Sequence, residues 1–370
     1  MKAAKQQKDG SREMKIMTVN VSDRSVYQDA LDAAAAQGVR FDQIGLDQID
    51  NGGQGAQPKI KKYLPKRETI EALRARYATF QPDVIQIGPK RHVALAAYIA
   101  FRSLPVPMVL EVGNIGSLNV FSPIDHLLHF NKRFSRILAP SRALVNNWAA
   151  APVVGRLIGP ERLEFIHHSI ALLPPLDPAD RSRLRATYGF GPDDFVVGSV
   201  CKNRDIKNLG FVAELISDVG PKAVFALAGA GFDQPGGAKI QAAGGDRVRF
   251  LGPIPDARRI MSIFDAYVTP TKSPGESFGL AHGEAMQQGV PTLCMNIGGS
   301  AEMVEHGVSG AVLPAVREDW IHTLRRLNDN ADLRRQMGEA AAIRIKTEFS
   351  PEAIGLNFID FFQRLSFQTS

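Results

Sequence analysis

The stretch that decides the fold covers residues 276–286 and reads Glu276-Ser277-Phe278-Gly279-Leu280-Ala281-His282-Gly283-Glu284-Ala285-Met286. It lies between two apolar runs of the chain. Pro274 and Gly275 form a turn before it, Gly279 opens a periodic segment, and Gly289 closes that segment. Proline and glycine at such positions are the usual punctuation of one short helix. The stretch is therefore predicted to be a junction that leads from a strand into a helix.

The start of this predicted helix suits a diphosphate. The first turn of a helix has unpaired backbone N–H groups and the positive end of the helix dipole, so residues 277–280 are predicted to bind an anion. Glu284 lies four residues after Leu280 on the same helix face, where its carboxylate can accept hydrogen bonds from vicinal hydroxyls such as those of a ribose. Glu276 lies in the loop beside the predicted phosphate. Two glutamates at a helix start are also common as simple dipole partners, so the pair alone does not decide.

The next segment repeats the same pattern. Residues 291–295 form a short apolar run, and Gly298 and Gly299 follow as a turn that opens another helical segment. Two consecutive strand, turn and helix units place both helix starts at the carboxyl ends of parallel strands. Ligands of open α/β sheets bind at that edge.

In this order and spacing, the motifs of residues 248–314 resemble the nucleotide-sugar half of the family 4 retaining glycosyltransferases, which have the GT-B fold. The matching segments are residues 250–254, 273–280, 284–286, 289–291, 298–302 and 306–310. The resemblance covers the C-terminal half well and the N-terminal half only in outline. It implies an α/β molecule of two Rossmann-like, doubly wound parallel-sheet domains that face a cleft, with a C-terminal helix returning to the first domain.

Length and composition agree with such a molecule. A chain of 370 residues suits two domains, and 44% hydrophobic residues are enough for full cores. Cys201 and Cys294 lie in apolar runs and indicate buried thiols in a reducing compartment. Residues 1–14 lack a signal-peptide pattern, and no apolar segment approaches the ~18–20 residues that a bilayer span needs. A cytoplasmic location is expected.

The net charge of +6 leaves two interpretations open. Basic residues cluster at Lys59, Lys61, Lys62, Lys66, Arg67, Arg74 and Arg76. The cluster is either a solvated surface, or it attracts a phosphorylated acceptor or the anionic lipids of the inner membrane face, at about 1 kcal/mol per basic residue. Nucleic acid fits less well, because the cluster lacks a recognition motif and interleaved aromatic residues.

Alternating apolar and helical segments predict parallel sheets covered by helices. Strands are predicted at residues 15–21, 83–87, 107–110, 137–139, 163–167, 195–200, 223–227, 248–251, 266–269 and 292–295. Helices are predicted at residues 26–37, 92–101, 279–289, 320–348 and 353–368. A proline-rich and acidic linker, residues 174–180, divides the first domain (1–173, with 350–370 packing back on it) from the second (181–349).

The resemblance also implies a basic loop that stabilises the leaving diphosphate. Charge grows on this group as the glycosidic bond breaks, and fixed cations stabilise it most in the transition state. Lys207 resembles the family lysine. The family arginine follows the strand glycine directly, where this chain has Ser199, so Arg204 or Lys202 must take its place. Arg204 is preferred as the catalytic partner of Lys207 and Glu276, and Lys202 is assigned to donor binding. A solvated surface role is the alternative for each cation.

Two further loops are implied to bind the donor. Gly229 belongs to a Gly-Ala-Gly turn after a strand. Gly252, Pro253 and Ile254 lie where family members present backbone groups to the nucleobase. Backbone contacts leave no side-chain code, so the residues do not separate uracil from guanine, and a UDP-sugar is the favoured expectation.

The N-terminal half departs from the family pattern. Ser22 lies in the loop where a Gly-Gly pair is usual, and Glu111 and Asn114 stand where a histidine near the sugar is usual. By position these three residues are expected to contact the donor sugar or the acceptor, although Glu111 paired with a nearby base is the alternative. Adjacent histidines His167 and His168 point to opposite sides of an extended chain, which disfavours a shared metal.

The resemblance thus implies a metal-independent, retaining hexosyltransferase without a required cofactor. It would move a sugar from a nucleotide-diphospho-sugar to a hydroxyl of a glycan, glycolipid or small molecule. The sequence has no Asp-x-Asp motif for a metal-bridged diphosphate. A sugar-nucleotide epimerase or phosphorylase on the same scaffold is one alternative. The other is a nucleotide-sugar-binding relic that acts with a partner transferase.

Overall fold

The computed structural model describes residues 13–20, 27–46, 64–113 and 118–367, which form two six-stranded parallel sheets. The first sheet has the order β2-β1-β3-β4-β5-β6. Its strands are β1 (Lys15–Asn20), β2 (Arg40–Gly45), β3 (Val84–Ile87), β4 (Met108–Glu111), β5 (Phe134–Ala139) and β6 (Leu163–Phe165). Its helices are α1 (Gln28–Ala35), α2 (Arg67–Phe80), α3 (Arg91–Phe101), α4 (Pro123–Leu128), α5 (Arg142–Ala150) and α6 (Val154–Ile158).

The second sheet has the order β12-β11-β10-β7-β8-β9. Its strands are β7 (Phe195–Val200), β8 (Ala223–Ala228), β9 (Val248–Gly252), β10 (Ala266–Thr269), β11 (Thr292–Met295) and β12 (Gly310–Leu313). The helices in this half of the chain are α7 (Pro178–Thr187), α8 (Leu209–Val219), α9 (Pro235–Gly244), α10 (Ala257–Met261), α11 (Leu280–Gln287), α12 (Ser300–Met303), α13 (Arg317–Asp329), α14 (Ala331–Glu348) and α15 (Pro351–Phe367).

Apolar runs explain the sheets. The central strands β3, β4, β8, β10 and β11 are buried along their whole length, as expected for parallel strands covered by helices on both faces. Each sheet has apolar clusters on its two faces. The predicted fold class is confirmed.

Helix α15 returns to the first domain, as predicted. Ile354, Phe358, Phe361, Phe362 and Leu365 of α15 belong to the same buried cluster as residues of β1, α1 and β4. The rings of Tyr27 and Phe358 meet edge to face at 4.9 Å. A Cβ at Gly355 would lie 2.8 Å from the carbonyl oxygen of Ala30, so glycine lets the two helices approach closely.

Several element bounds differ from the prediction. Strand β2 and helix α2 were not predicted, and β5 begins at Phe134, three residues before its predicted start. The predicted helix 320–348 is two helices, because Asn330 separates them and its side chain accepts a hydrogen bond from Leu333 N at the start of α14. Residues 178–180 of the predicted linker form the first turn of α7.

Part of the basic cluster, residues 59–62, lies outside the described residues, as do Ser22 and Asn114. In the described part of the chain, no helix is both long and apolar enough to cross a bilayer. The same residues hold no group of three or more His, Cys, Asp or Glu side chains placed to bind a metal ion.

Candidate functional site

Residues 276–286 cover the end of the loop between β10 and α11 and most of α11 itself, at the carboxyl edge of the second sheet. Gly279 has a φ of +91°, a left-handed conformation that favours glycine, and it gives α11 no side-chain cap. Phe278 is buried, whereas Leu280 at the first helical position is exposed. Gly279 is buried and Ser277 is half-buried, and the first N–H groups of α11 are the ones that the sequence predicts to bind an anion.

Lys207 and Glu276 meet at this edge. Lys207 Nζ donates to Glu276 Oε1 at 2.7 Å, and Thr271 Oγ1 donates to the same oxygen at 3.1 Å. Lys207 ends a short 3-10 turn after β7, and Asn208 beyond it has a left-handed φ of +53°. Because β7 and β10 are neighbours in the sheet, the two loops lie side by side. The structure thus brings together two residues that the sequence assigned to catalysis.

Glu284 lies one turn deeper on α11 and is half-buried. Burial raises the pKa of its carboxyl, Arg258 counteracts this effect, and Asp256 adds to it. A half-buried carboxyl gains from ligand hydroxyls that replace its lost water. This position is consistent with the predicted ribose contact.

The other predicted cations lie at the surface. Arg204 and Lys202 are both exposed, and neither forms a hydrogen bond or ion pair to Glu276 in the described residues. Arg204 lines a groove of about 580 Å³ together with Lys239 and Lys272. In the described part of the chain, therefore, Lys207 alone of the three predicted basic residues touches the glutamate.

The glycine turns of the donor loops are tied together. Gly229 N donates to Gly252 O at 2.8 Å, and both residues have positive φ values of +137° and +70°. A Cβ at Gly229 would lie 1.9 Å from the carbonyl oxygen of Cys201. Glycine is therefore required at 229. Its close approach to Cys201 holds the loop after β8 against the loop after β7. Pro253 is exposed and Ile254 half-buried beyond this tie.

Glu111 ends β4 at the carboxyl edge of the first sheet and is 5% exposed. It accepts a hydrogen bond from Gln86 Nε2 on the neighbouring strand. Burial raises the pKa of Glu111 to about 7, although the Gln86 hydrogen bond lowers it. Its partner is an amide rather than the base that the alternative interpretation required.

Two features of α11 were left without an explanation by the sequence. A Cβ at Gly283 would lie 2.6 Å from Ile170 Cδ1, so glycine lets the side chain of Ile170 pack closely against α11. His282 is fully buried, its Nδ1 lies 3.1 Å from Thr269 Oγ1, and burial lowers its pKa to about 4. His282 also lines a small enclosed space shared with Lys207 and Glu276.

The adjacent histidines differ in their polar contacts, although both rings contact Phe278, with centroid distances of 5.5 Å from His167 and 5.4 Å from His168. His168 packs against Tyr27 with ring centroids 4.6 Å apart, and burial lowers its pKa to about 4. His167 Nε2 instead lies 2.8 Å from Glu302 Oε2. Glu302 ends the family-like segment 298–302, but the sequence assigns it no role, because its partners lie in the other domain.

Two facing Rossmann-like domains define the GT-B class of folds, and this chain has that fold. Solved structures agree at low sequence identity. Anabaena Alr3699/HepE in complex with UDP has a TM-score of 0.73 at 19% identity, covering 95% of this chain and 100% of that one. A glycosyltransferase from Rickettsia africae gives 0.74 at 13% identity, covering 96% and 99%. Sucrose-phosphate synthase from Thermosynechococcus elongatus gives 0.69 at 18%, covering 97% and 100%.

Residues 180–344, in the second domain, match the family "Glycosyl transferases group 1". Curated relatives are D-inositol 3-phosphate glycosyltransferases. That of Mycobacteroides abscessus is 30% identical over 175 residues, which cover 45% of this chain and 39% of the relative. That of Mycobacterium sp. strain KMS is 31% identical over 194 residues, covering 50% and 44%. The alignments thus span about two fifths of the relatives' length.

Proposed function

We propose that the protein is a retaining glycosyltransferase that moves a hexose from a nucleotide-diphospho-sugar to an acceptor hydroxyl. The observation that carries this proposal is the Lys207–Glu276 contact of 2.7 Å beside the start of α11. It places a cation, a carboxylate and a helix N-terminus within one loop pair of a group 1 glycosyl transferase domain.

Each residue has a task in this proposal. Lys207 and the backbone of residues 277–280 bind the diphosphate, and they stabilise it further as charge grows on the leaving group. Glu284 accepts hydrogen bonds from the ribose hydroxyls, and Glu276 contacts the donor sugar. The loops of Gly229 and Gly252 receive the base through backbone groups.

The chemistry needs no dedicated side-chain base. The acceptor hydroxyl attacks from the face that the diphosphate leaves, and a phosphate oxygen takes its proton. Closure of the two domains excludes water that would hydrolyse the activated sugar. Cations and the helix dipole do the work of a metal, so we propose that transfer survives chelation by EDTA.

The names and bound ligands of similar proteins suggest which donor and which acceptor to test first. Structures of the Anabaena neighbour contain UDP and UDP-glucose, which favours a UDP-sugar here. The curated relatives are named for D-inositol 3-phosphate, so a phosphorylated polyol is the first acceptor to test among the glycans, glycolipids and small molecules. A cytoplasmic location fits these substrates. Peripheral contact with anionic lipid is tested by co-sedimentation with phosphatidylglycerol vesicles.

The deciding experiment is a thermal-shift panel of UDP, GDP, UDP-glucose and GDP-mannose. A ligand at about 100 times its Kd raises the unfolding free energy by about 2.7 kcal/mol, so a true donor gives a clear rise in Tm. Incubation of the stabilising donor with acceptors, followed by NMR of the anomeric proton, then establishes transfer and its stereochemistry. Stabilisation by none of these nucleotides would overturn the proposal.

A nucleotide-binding relic is the second candidate, because Glu111 stands in place of the family histidine and is buried against Gln86. A relic binds UDP-sugar yet releases no UDP, alone or with any acceptor. An epimerase, in contrast, converts the donor sugar without an acceptor. The same NMR assay separates all three.

A further inference from the structure

Glu302 joins the two domains through backbone groups of the first one. Its two carboxylate oxygens accept hydrogen bonds from Ala143 N at 2.6 Å and from Arg142 N at 3.0 Å, and His167 Nε2 lies 2.8 Å from Oε2. Arg142 and Ala143 are the first two residues of α5, whereas Glu302 lies in α12 of the second domain. We call this set of contacts the Glu302 junction.

The junction completes the cap of α5. Ser141, fully buried at the N-cap, accepts a hydrogen bond from Leu144 N with its side chain. The N–H groups of the first two helical residues need another acceptor, and the carboxylate of Glu302 supplies it at the positive end of the helix. Burial raises the pKa of Glu302, but the hydrogen bonds from His167, Ala143 and Arg142 together outweigh burial and lower it.

The same segment holds Glu276 through its backbone. Gly299 N donates to Glu276 O at 2.8 Å, and Gly298 forms a parallel bridge with Glu276. A Cβ at Gly299 would lie 2.3 Å from Ser277 O and 2.8 Å from Ser141 Cβ. Gly299 is therefore pressed between the first domain and the loop of the site, and Glu302 follows less than one helical turn later.

A second contact runs through His167. Its ring stacks on Phe278 at 5.5 Å with an interplanar angle of 27°. Phe278 lies directly between Ser277 and Gly279, at the predicted diphosphate turn. Behind the junction, Arg344 of α14 donates to Met303 O at 2.8 Å, which fixes the end of α12.

We propose that Glu302 is a positioning residue, which fixes Glu276 and the turn before α11 by holding them against α5 of the first domain. It touches no reacting atom in this proposal. It acts through the backbone of residues 298–299 and through the ring of His167. The inference rests on the proposed function for its effect on turnover, but its structural part does not.

The test compares Glu302→Gln with Glu305→Gln. The first substitution keeps the size of the side chain but presents an NH₂ group to a site built from N–H donors. Glu305 lies further along the chain with an exposed side chain whose nearest basic partner, Arg344, is 3.9 Å away, so it is a matched control. Glu302→Asp, one methylene shorter, is the milder variant if Glu302→Gln folds poorly.

Amide hydrogen exchange is the first readout, because it needs no substrate. With Glu302→Gln, peptides covering residues 142–144 and 276–280 should exchange about tenfold faster, since two charge-assisted hydrogen bonds to the carboxylate are lost. The Glu305→Gln protein should match the wild type. Faster exchange at residues 142–144 with unchanged exchange at 276–280 would overturn the coupling to Glu276.

Kinetics with UDP-glucose supply the second readout. Turnover should fall about tenfold, while the Kd for UDP alone should rise by a smaller factor, because Lys207 still binds the diphosphate whereas the misplaced Glu276 no longer contacts the donor sugar. An equal loss of UDP affinity and turnover would overturn the proposal. If the wild type transfers no sugar from any of the nucleotide-sugars in the thermal-shift panel, the proposed function fails, and hydrogen exchange still decides the role of Glu302.

Discussion

Lys207 Nζ and Glu276 Oε1 are 2.7 Å apart although the two residues are 69 positions apart in the chain. The contact exists because β7 and β10 are adjacent parallel strands whose following loops meet at one edge. Neither side chain is fully exposed. A bound diphosphate would therefore interact with the same Lys207 ammonium group that already pairs with the Glu276 carboxylate.

Replacement of Lys207 by alanine should lower the transfer rate about 100- to 1000-fold, or about 3–4 kcal/mol, because the charge on the leaving diphosphate loses its half-buried cation. Affinity for uridine, which has no phosphate, should stay within about twofold. Steady-state kinetics and calorimetry measure the two effects. Lys272→Ala is the control, since Lys272 is exposed and pairs with Asp205. Equal losses in both variants would refute a specific role of Lys207.

Replacement of Glu284 by alanine should weaken UDP binding by about 1–3 kcal/mol through the lost ribose hydrogen bonds. Titration calorimetry with UDP and with 2′,3′-dideoxy-UDP checks this role, because the variant should no longer distinguish the two ligands. Gln288→Ala, at the other end of α11, should bind as the wild type does. Full discrimination by the Glu284→Ala protein would rule out the ribose contact.

Measurements of turnover distinguish the roles of Arg204 and Lys202. Arg204→Ala should lower turnover at least about tenfold, because an exposed arginine can swing onto the phosphates when donor binds and form a bidentate contact. Lys202→Ala should change turnover less than about threefold. The reverse order of effects would assign the phosphate contact to Lys202.

Glu111 should make stability depend on pH. Its folded pKa of about 7 is above the ordinary value of 4.5, so its stabilising contribution is present below about pH 4.5 and is lost as pH rises to about 7. The difference between these two pKa values corresponds to about 3 kcal/mol. Between about pH 4.5 and pH 8 the unfolding free energy of the wild type should fall by about this amount relative to Glu111→Gln.

Urea unfolding at the two pH values measures this difference. Glu352→Gln, which changes an exposed carboxyl of α15, should follow the wild type at both pH values. A pH dependence of Glu111→Gln equal to that of the wild type would show that Glu111 is charged throughout this range.

Five of the six strands of the second sheet were predicted, because their signals are local, whereas strand β12 and helices α8, α9 and α10 were not. Short apolar runs predicted the bounds of β7, β10 and β11 to the residue. Strand β2 was not predicted because it is an edge strand without a run of buried apolar residues. Only Asp42 and Gly45 are buried, and Asp42 is paired with Arg76 of α2. Helix α2 escaped because it buries only Thr69 and Leu73, so its apolar stripe is weak.

The candidate site was predictable to the same degree. Glu276, Glu284 and Lys207 lie in motifs of ordered spacing, and the structure places them at one edge. The junction of Glu302 with Arg142 links residues 160 positions apart, and nothing in the local sequence indicates such a pair. Contacts between domains produce no periodic pattern in the amino-acid sequence, so only the folded structure shows them.

Helix α15 has a consequence for biosynthesis. It is made after the entire second domain, yet its phenylalanines fill the face of the first sheet beside Tyr27. During translation, this apolar face of the first sheet stays exposed to solvent until the second domain and α15 have been synthesised. The first domain therefore cannot reach its native state until the whole chain has been made. Chaperone demand and aggregation risk should therefore concentrate in this interval, and a fragment ending before α15 should be recovered mainly as insoluble protein.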